Sequence, residues 1–289
     1  MRPTTPTQYR IGSHSWPFAT LWCLMTTLLA AAAQHAHLNA GALSTEAHSQ
    51  LSFINGSFFA TNSGYVVNLS KANSGPYIGT YQGGITFTAL PATSNNGGPA
   101  FGHAAFGAFL ELQIEAVSGP TNGLLGFWED DDVKPRHLMR AGVPVPSNSV
   151  RFRLSESSGK PDSDPFGHIH GRRFTTSQPG LYTVRFRLLD TSLNGPNNGP
   201  LHRESEPFDL YFQSGITVAL IERSPQQTRV TFGGWPDVDV YLEAKDSLDE
   251  AIPWVEVAGP EPGINALMHL THEAPQSQAL FYRLRMQEP

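Results

Sequence analysis

Two short motifs place imidazoles two residues apart: His35-Ala36-His37 and His168-Ile169-His170. Side chains at i and i+2 of a β-strand share a face, so each pair would present two metal ligands side by side. Imidazoles without thiolates suit divalent Zn, Cu, Ni or Fe. The single cysteine, Cys23, rules out a Cys-based zinc site and a disulfide framework. The spacing therefore predicts His168 and His170 as ligands of a transition metal, Zn or Cu. Candidates to complete the shell are His35, His37, His103 in Phe101-Gly102-His103, and His202 in Pro200-Leu201-His202. Glu156, Asp162 and Asp164 flank the second pair and are candidates for an oxygen ligand or a supporting hydrogen bond. The competing reading of all these histidines is structural: rings that hydrogen-bond loops and cap a sheet.

Other chemistries fit less well. A cupin would carry an acid four residues after the second His, where this chain has Phe174. An α-type carbonic anhydrase would need a third His on the neighbouring strand, and the next one is His202. No G-x-S-x-G elbow occurs, and no residue is assigned a catalytic role. The run Glu129-Asp130-Asp131-Asp132 lacks the ligand order of an EF-hand and reads as a solvated turn. Tyr65, Tyr77, Tyr81, Phe106 and Trp128 offer either core packing or a sugar-binding platform.

The N-terminus reads as a secretion signal. Met1 to Pro17 is polar, with Arg2 and Arg10 and no acid, and an apolar run from Phe18 to Ala33 follows. That run is shorter than the ~20 apolar residues of a membrane-spanning helix and ends in alanines. Cleavage directly before His35 would create half of a copper-binding histidine brace, and cleavage before Gln34 would put a histidine second. Removing residues 1–33 takes two positive charges, leaving 17 basic against 25 acidic residues, a net charge of −8. No Lys/Arg cluster interrupts that balance, which excludes nucleic acid as an expected partner. No apolar tail follows at the C-terminus, so no transmembrane anchor is expected after signal cleavage.

These histidines must be positioned by strands. The sequence holds 27 glycines and 23 prolines, which punctuate it too often for long helices. Strand-like runs recur at Gln50–Ile54, Gly64–Leu69, Ile85–Leu90, Phe109–Val117 and Ser149–Leu154. The clearest is Leu181–Leu188, where Tyr182, Val184, Phe186 and Leu188 alternate with Thr183, Arg185 and Arg187. Phe208, Leu210 and Phe212 repeat the pattern. Six further runs between Ile216 and Arg285 fit a smaller β-module, with Glu261-Pro262-Gly263 at a hairpin. The expected class is all-β. A signal over 1–33 precedes an antiparallel jelly-roll or immunoglobulin-like sandwich over 34–214, and an immunoglobulin- or fibronectin-like module occupies 215–289.

Two resemblances extend this reading. His168-Ile169-His170, Phe174-Thr175 and Pro179-Gly180-Leu181-Tyr182 resemble, in order, the signature of bacterial surface-anchored proteins first grouped in actinobacteria. Gly171-Arg172-Arg173 stands where that signature has Asn-Trp. The likeness covers residues ~35–213 and implies an exported β-sandwich concerned with metal handling or surface display. Over residues ~216–289, Gly234-Trp235-Pro236, Val240-Tyr241-Leu242-Glu243, Trp254-Val255-Glu256-Val257 and Phe281-Tyr282-Arg283-Leu284 resemble a C-terminal module of exported verrucomicrobial and planctomycetal proteins. There Trp235, Tyr241, Trp254 and Tyr282 would be core aromatics. The expectation is an exported, non-catalytic bacterial protein, secreted or at the cell surface, that binds a divalent metal and meets cell-surface or polysaccharide components. A copper-dependent oxidative enzyme with an N-terminal His site, and a metal-free carbohydrate-binding or adhesion module, are the alternatives.

Overall fold

Alternating apolar residues between Gly, Pro and Asn breakers divide the chain into short strands in the computed structural model, which describes residues 37–90, 102–129, 132–154, 172–273 and 281–288. In chain order these are β1 (His37–Ala42), β2 (Leu51–Phe53), β3 (Val66–Lys71), β4 (Tyr81–Gly83), β5 (Thr86–Ala89) and β6 (Leu110–Ser118). Next come β7 (Leu124–Trp128), β8 (His137–Arg140), β9 (Arg151–Arg153), β10 (Arg173–Thr176), β11 (Gly180–Asp190) and β12 (Phe208–Ser214). The C-terminal strands are β13 (Val218–Arg223), β14 (Gln227–Gly233), β15 (Asp239–Lys245), β16 (Val255–Pro262), β17 (Leu267–Glu273) and β18 (Phe281–Gln287). The protein is all-β, and among the described residues the helical elements are short 3₁₀ turns. Among the described residues no helix is long and apolar enough to cross a membrane.

A nine-stranded sheet runs β8-β7-β10-β4-β3-β12-β11-β6-β9. It curls until its flanks meet: Phe127 on β7 stacks on Phe152 of β9 with ring centroids 4.2 Å apart. The predicted alternation of β11 is realised. Tyr182, Val184, Phe186 and Leu188 are fully buried, and Arg187 and Arg185 point outward to carboxylates, Arg187 to Glu115 and Arg185 to Asp209 at 2.8 Å. A smaller sheet, β2-β1-β5, covers the opening, and Phe87 of β5 meets Phe152, Phe174 and Phe186 inside. The sheets are mixed, because β1 pairs with β5 and β3 with β12 in parallel. Parallel pairs need long crossovers, and the spacing of short runs did not reveal them.

The Pro-Gly-x-Tyr stretch has a local cause. Gly180 adopts φ +142, and a Cβ there would lie 2.3 Å from the Pro120 ring, so the turn into β11 demands glycine. Tyr182 then lies fully buried, its hydroxyl donating to the Gln178 carbonyl at 3.2 Å.

The C-terminal strands form two three-stranded sheets, β13-β14-β17 and β16-β15-β18, around Val230, Phe232, Val240, Leu242, Met268 and Leu270. Pro262-Gly263 is not a hairpin: β16 pairs with β15 and β17 with β14, so this turn carries the chain from one sheet to the other. Tyr241 and Trp254 are not core residues either. Tyr241 on β15 lies under Arg285 at 3.9 Å, and Trp254, just before β16, lies under Arg283 and Lys245 at 4.6 and 4.9 Å. The module meets the large sheet through backbone bonds, Val66 N–H to Asn265 O (3.1 Å) and Leu267 N–H to Gly64 O (2.7 Å). Asn68 adds side-chain bonds to Asn265 Oδ1 (2.8 Å) and Gly234 O (3.1 Å).

Candidate functional site

His168, His170, His35, Glu156, Asp162 and Asp164 lie outside the described residues. Of the remaining candidates, His37 opens β1, where its Nδ1 hydrogen-bonds Thr88 Oγ1 at 3.0 Å. Asn55 steadies the same strand end by donating to the His37 carbonyl and accepting from Asn39 N–H, both at 2.8 Å. His103 follows Gly102, whose carbonyl accepts from Ala42 N–H at the far end of β1. Five strand steps separate His37 from that end, about 16 Å, so the two histidines belong to different sites. Among the described residues no three His, Cys, Asp or Glu side chains converge as a metal cluster.

His202 is consumed by the fold. Its Nδ1–H donates to Ser49 O at 3.1 Å, while its Nε2 accepts from Ala105 N–H at 2.8 Å. A neutral imidazole has one proton and one ring lone pair, and both are engaged with backbone, so His202 is not available as a ligand in this arrangement. Burial pushes its pKa below the usual imidazole value, against the opposing pull of the Ser49 carbonyl and the Asp190 charge. Beside it, the carboxylate of Asp190, at the end of β11, accepts four backbone N–H bonds. Oδ1 takes those of Phe109 (3.0 Å) and Ser192 (2.9 Å), and Oδ2 those of Leu201 (2.8 Å) and His202 (3.0 Å). Together the two residues tie four stretches of loop to the sheet. Sequence reasoning missed Asp190. The only signal was an acid ending a strongly alternating strand just before Thr191-Ser192, where an Asx turn can form.

The segment downstream of the His168/His170 motif is firmly held. Arg172, whose side chain is 8% exposed, donates to the Arg153 carbonyl, stands 3.6 Å from Glu129 and lies over Phe152 at 5.0 Å. The next residues enter β10, between β7 and β4, where Phe174, Thr175 and Thr176 are all buried. Trp128 Nε1–H donates to Thr175 Oγ1 at 2.8 Å, and Tyr77 packs edge-on against Trp128. On the same rim, Arg136 bridges Glu129 and Asp132, and Asp132 accepts the Glu129 backbone N–H at 2.8 Å. That backbone bond, with help from Arg136, holds the Asp132 carboxyl below its usual pKa. The described ends of the acidic run thus form a closed turn.

The aromatics do not make one platform. Trp128 is buried, Tyr65 packs against Phe59, and Phe106 is exposed elsewhere. Tyr81 instead lines a cleft of about 450 Å³, where the ends of β3 and β4 face the β14–β15 turn and the end of β18. A second hollow, of about 390 Å³, lies beside Gln50 and Phe208. On the outer face of the β16-β15-β18 sheet, Glu243 accepts from Arg283 (2.6 Å) and Arg285 (2.7 Å), and Arg285 also reaches Glu256 at 2.9 Å. Burial raises the Glu243 pKa, but the two guanidiniums outweigh it and hold the carboxyl below its usual range. No family model, no curated protein and no solved structure matches this chain.

Proposed function

We propose that this is an exported bacterial surface protein that binds a divalent transition metal, Zn or Cu, through His168 and His170, without turnover of its own. One observation carries the reading: in the sequence the pair ends two residues before Arg172, the anchored residue that leads into the interior strand β10. Ligands tethered this closely to a rigid strand start from a restricted set of positions, which lowers the cost of ordering them around an ion. Phe174, Thr175, Gly180 and Tyr182 of the surface-protein resemblance are buried in β10 and β11, with Pro179 exposed on the turn between them, which supports a scaffolding role for that motif. With His202 engaged by backbone, either His37 or His103, but not both, could assist the pair. The signal-like N-terminus and the two β-modules suit display outside the cytoplasm.

The test is metal analysis of untagged, full-length mature protein equilibrated with Zn(II) or Cu(II) and desalted. About one equivalent is expected, lost in His168→Ala/His170→Ala with circular dichroism and Tm unchanged. Metal-free wild-type protein, or full retention in the double variant, would overturn the reading. N-terminal sequencing of the secreted chain decides the copper-brace alternative, which requires His35 at position one.

A further inference from the structure

The geometry points to a second, metal-independent site: the cleft between the large sheet and the C-terminal module binds a short neutral saccharide. Five separated stretches line it: the end of β3, Tyr81 at the start of β4, Gly215-Ile216 after β12, Trp235 and Val238 from the β14–β15 turn, and Met286 with its neighbours at the end of β18. Lys71, Gln287 and Glu288 are exposed at the rim. The cleft's shape depends on the docking of the module, and that docking is fixed by the Val66–Asn265 and Leu267–Gly64 backbone bonds and the two bonds of Asn68.

The lining selects the ligand class. Tyr81, Trp235 and Met286, with the aliphatic Leu69, Ile216 and Val238, offer apolar surface, which suits the C–H face of a pyranose and disfavours a fully polar solute. The rim supplies an ammonium, an amide and a carboxylate, which together donate to and accept from hydroxyl groups. Lys71 and Glu288 have opposite charges, so the charged lining side chains sum to zero and do not select an ion by charge. A purely aliphatic ligand would leave those rim groups desolvated without partners, at a cost. A volume of about 450 Å³ lies toward the lower end of small-molecule clefts, roughly 300–1,000 Å³. That suits a short oligosaccharide or chain end. The cleft contains none of the histidines assigned above, so it stands or falls apart from the metal reading.

Calorimetry on the EDTA-treated full-length mature protein, with cellotriose, chitotriose, maltotriose, mannotriose and xylotriose as probes, tests the proposal. At least one should bind with a Kd of about 1 mM or tighter. Trp235→Ala should weaken that binding about tenfold or more, and Lys71→Ala/Gln287→Ala about threefold, with Tm of the rim variant unchanged. If Trp235→Ala fails to fold, the rim variant decides. The proposal is overturned if none of the five binds, if affinity is unchanged in the folded variants, or if laurate competes for the cleft.

Discussion

The two halves of the molecule are built of the same element but differ in how much core they enclose. Among the described residues of the first, thirty buried apolar side chains, including Phe87, Phe127, Phe152, Phe174, Phe186 and Phe212, fill the curled sheet. Among those of the second, six buried side chains form the core, and the large aromatics Tyr241 and Trp254 lie outside it, covered by arginine and lysine. Apolar burial grows with the thickness of the layers it fills. A module of three-stranded sheets has little interior to offer, and it adds charge-assisted bonds and cation–aromatic contacts on its surface. Both halves carry surface ion pairs, Arg185–Asp209 and Arg187–Glu115 in the first and Arg283–Glu243 in the second, so what should separate them is how much stability core volume can supply.

The largest expected effect tests the core on each side. Phe174→Ala should cost about 3–5 kcal/mol and lower the main unfolding transition in urea. Phe232→Ala removes a similar ring from the six-residue core and should split off an earlier transition confined to the C-terminal module, seen by calorimetry as two peaks. A common loss in a single transition for both variants would erase the comparison. Next comes acid. His202 is neutral in the fold with its pKa lowered, so the unfolded chain protonates first as pH drops below about 6.5. Stability is fully present above that pH and is lost on the way down to the folded pKa, by at most about 1.4 kcal/mol per pH unit for one such group. His137 and His272 are shifted the same way by burial and add to the slope. Denaturation curves at pH 7.5 and 5.5 should show this loss, and His202→Gln should be less stable at pH 7.5 but less sensitive to acid. An unchanged slope in that variant would remove His202 as the cause. The smallest effect concerns the surface ladder. Glu243→Gln leaves Arg283 and Arg285 without their shared carboxylate and should cost about 1 kcal/mol at low salt, less at about 1 M salt. A loss independent of salt would show that Glu243 acts through packing instead.

Period-two alternation made the strands legible. Leu181–Leu188 and Phe208–Phe212 were readable because one face meets the core and the other meets water. Pairing order was not legible, since the parallel joins of β3 to β12 and β1 to β5 depend on contacts across the whole chain. The module aromatics misled for a related reason: Trp254 and Tyr241 look like core residues until the cations above them are placed. For the site, sequence gave each histidine its spacing but not its partners. His202 resembled any other candidate ligand, and only the positions of Ser49 and Ala105 reveal that its ring is already engaged.

The parallel join of β3 to β12 also governs when the protein can become itself. Val66 pairs beside Tyr211, 145 residues later, and contacts that distant close slowly because a long loop must be ordered first. A nascent chain ending before Phe208 therefore holds β3 with one edge unpaired, a template for wrong strands. Folding of the large sheet is deferred until nearly three-quarters of the polypeptide has emerged. The order of the strands, more than the strength of any one of them, therefore sets when the large sheet can close.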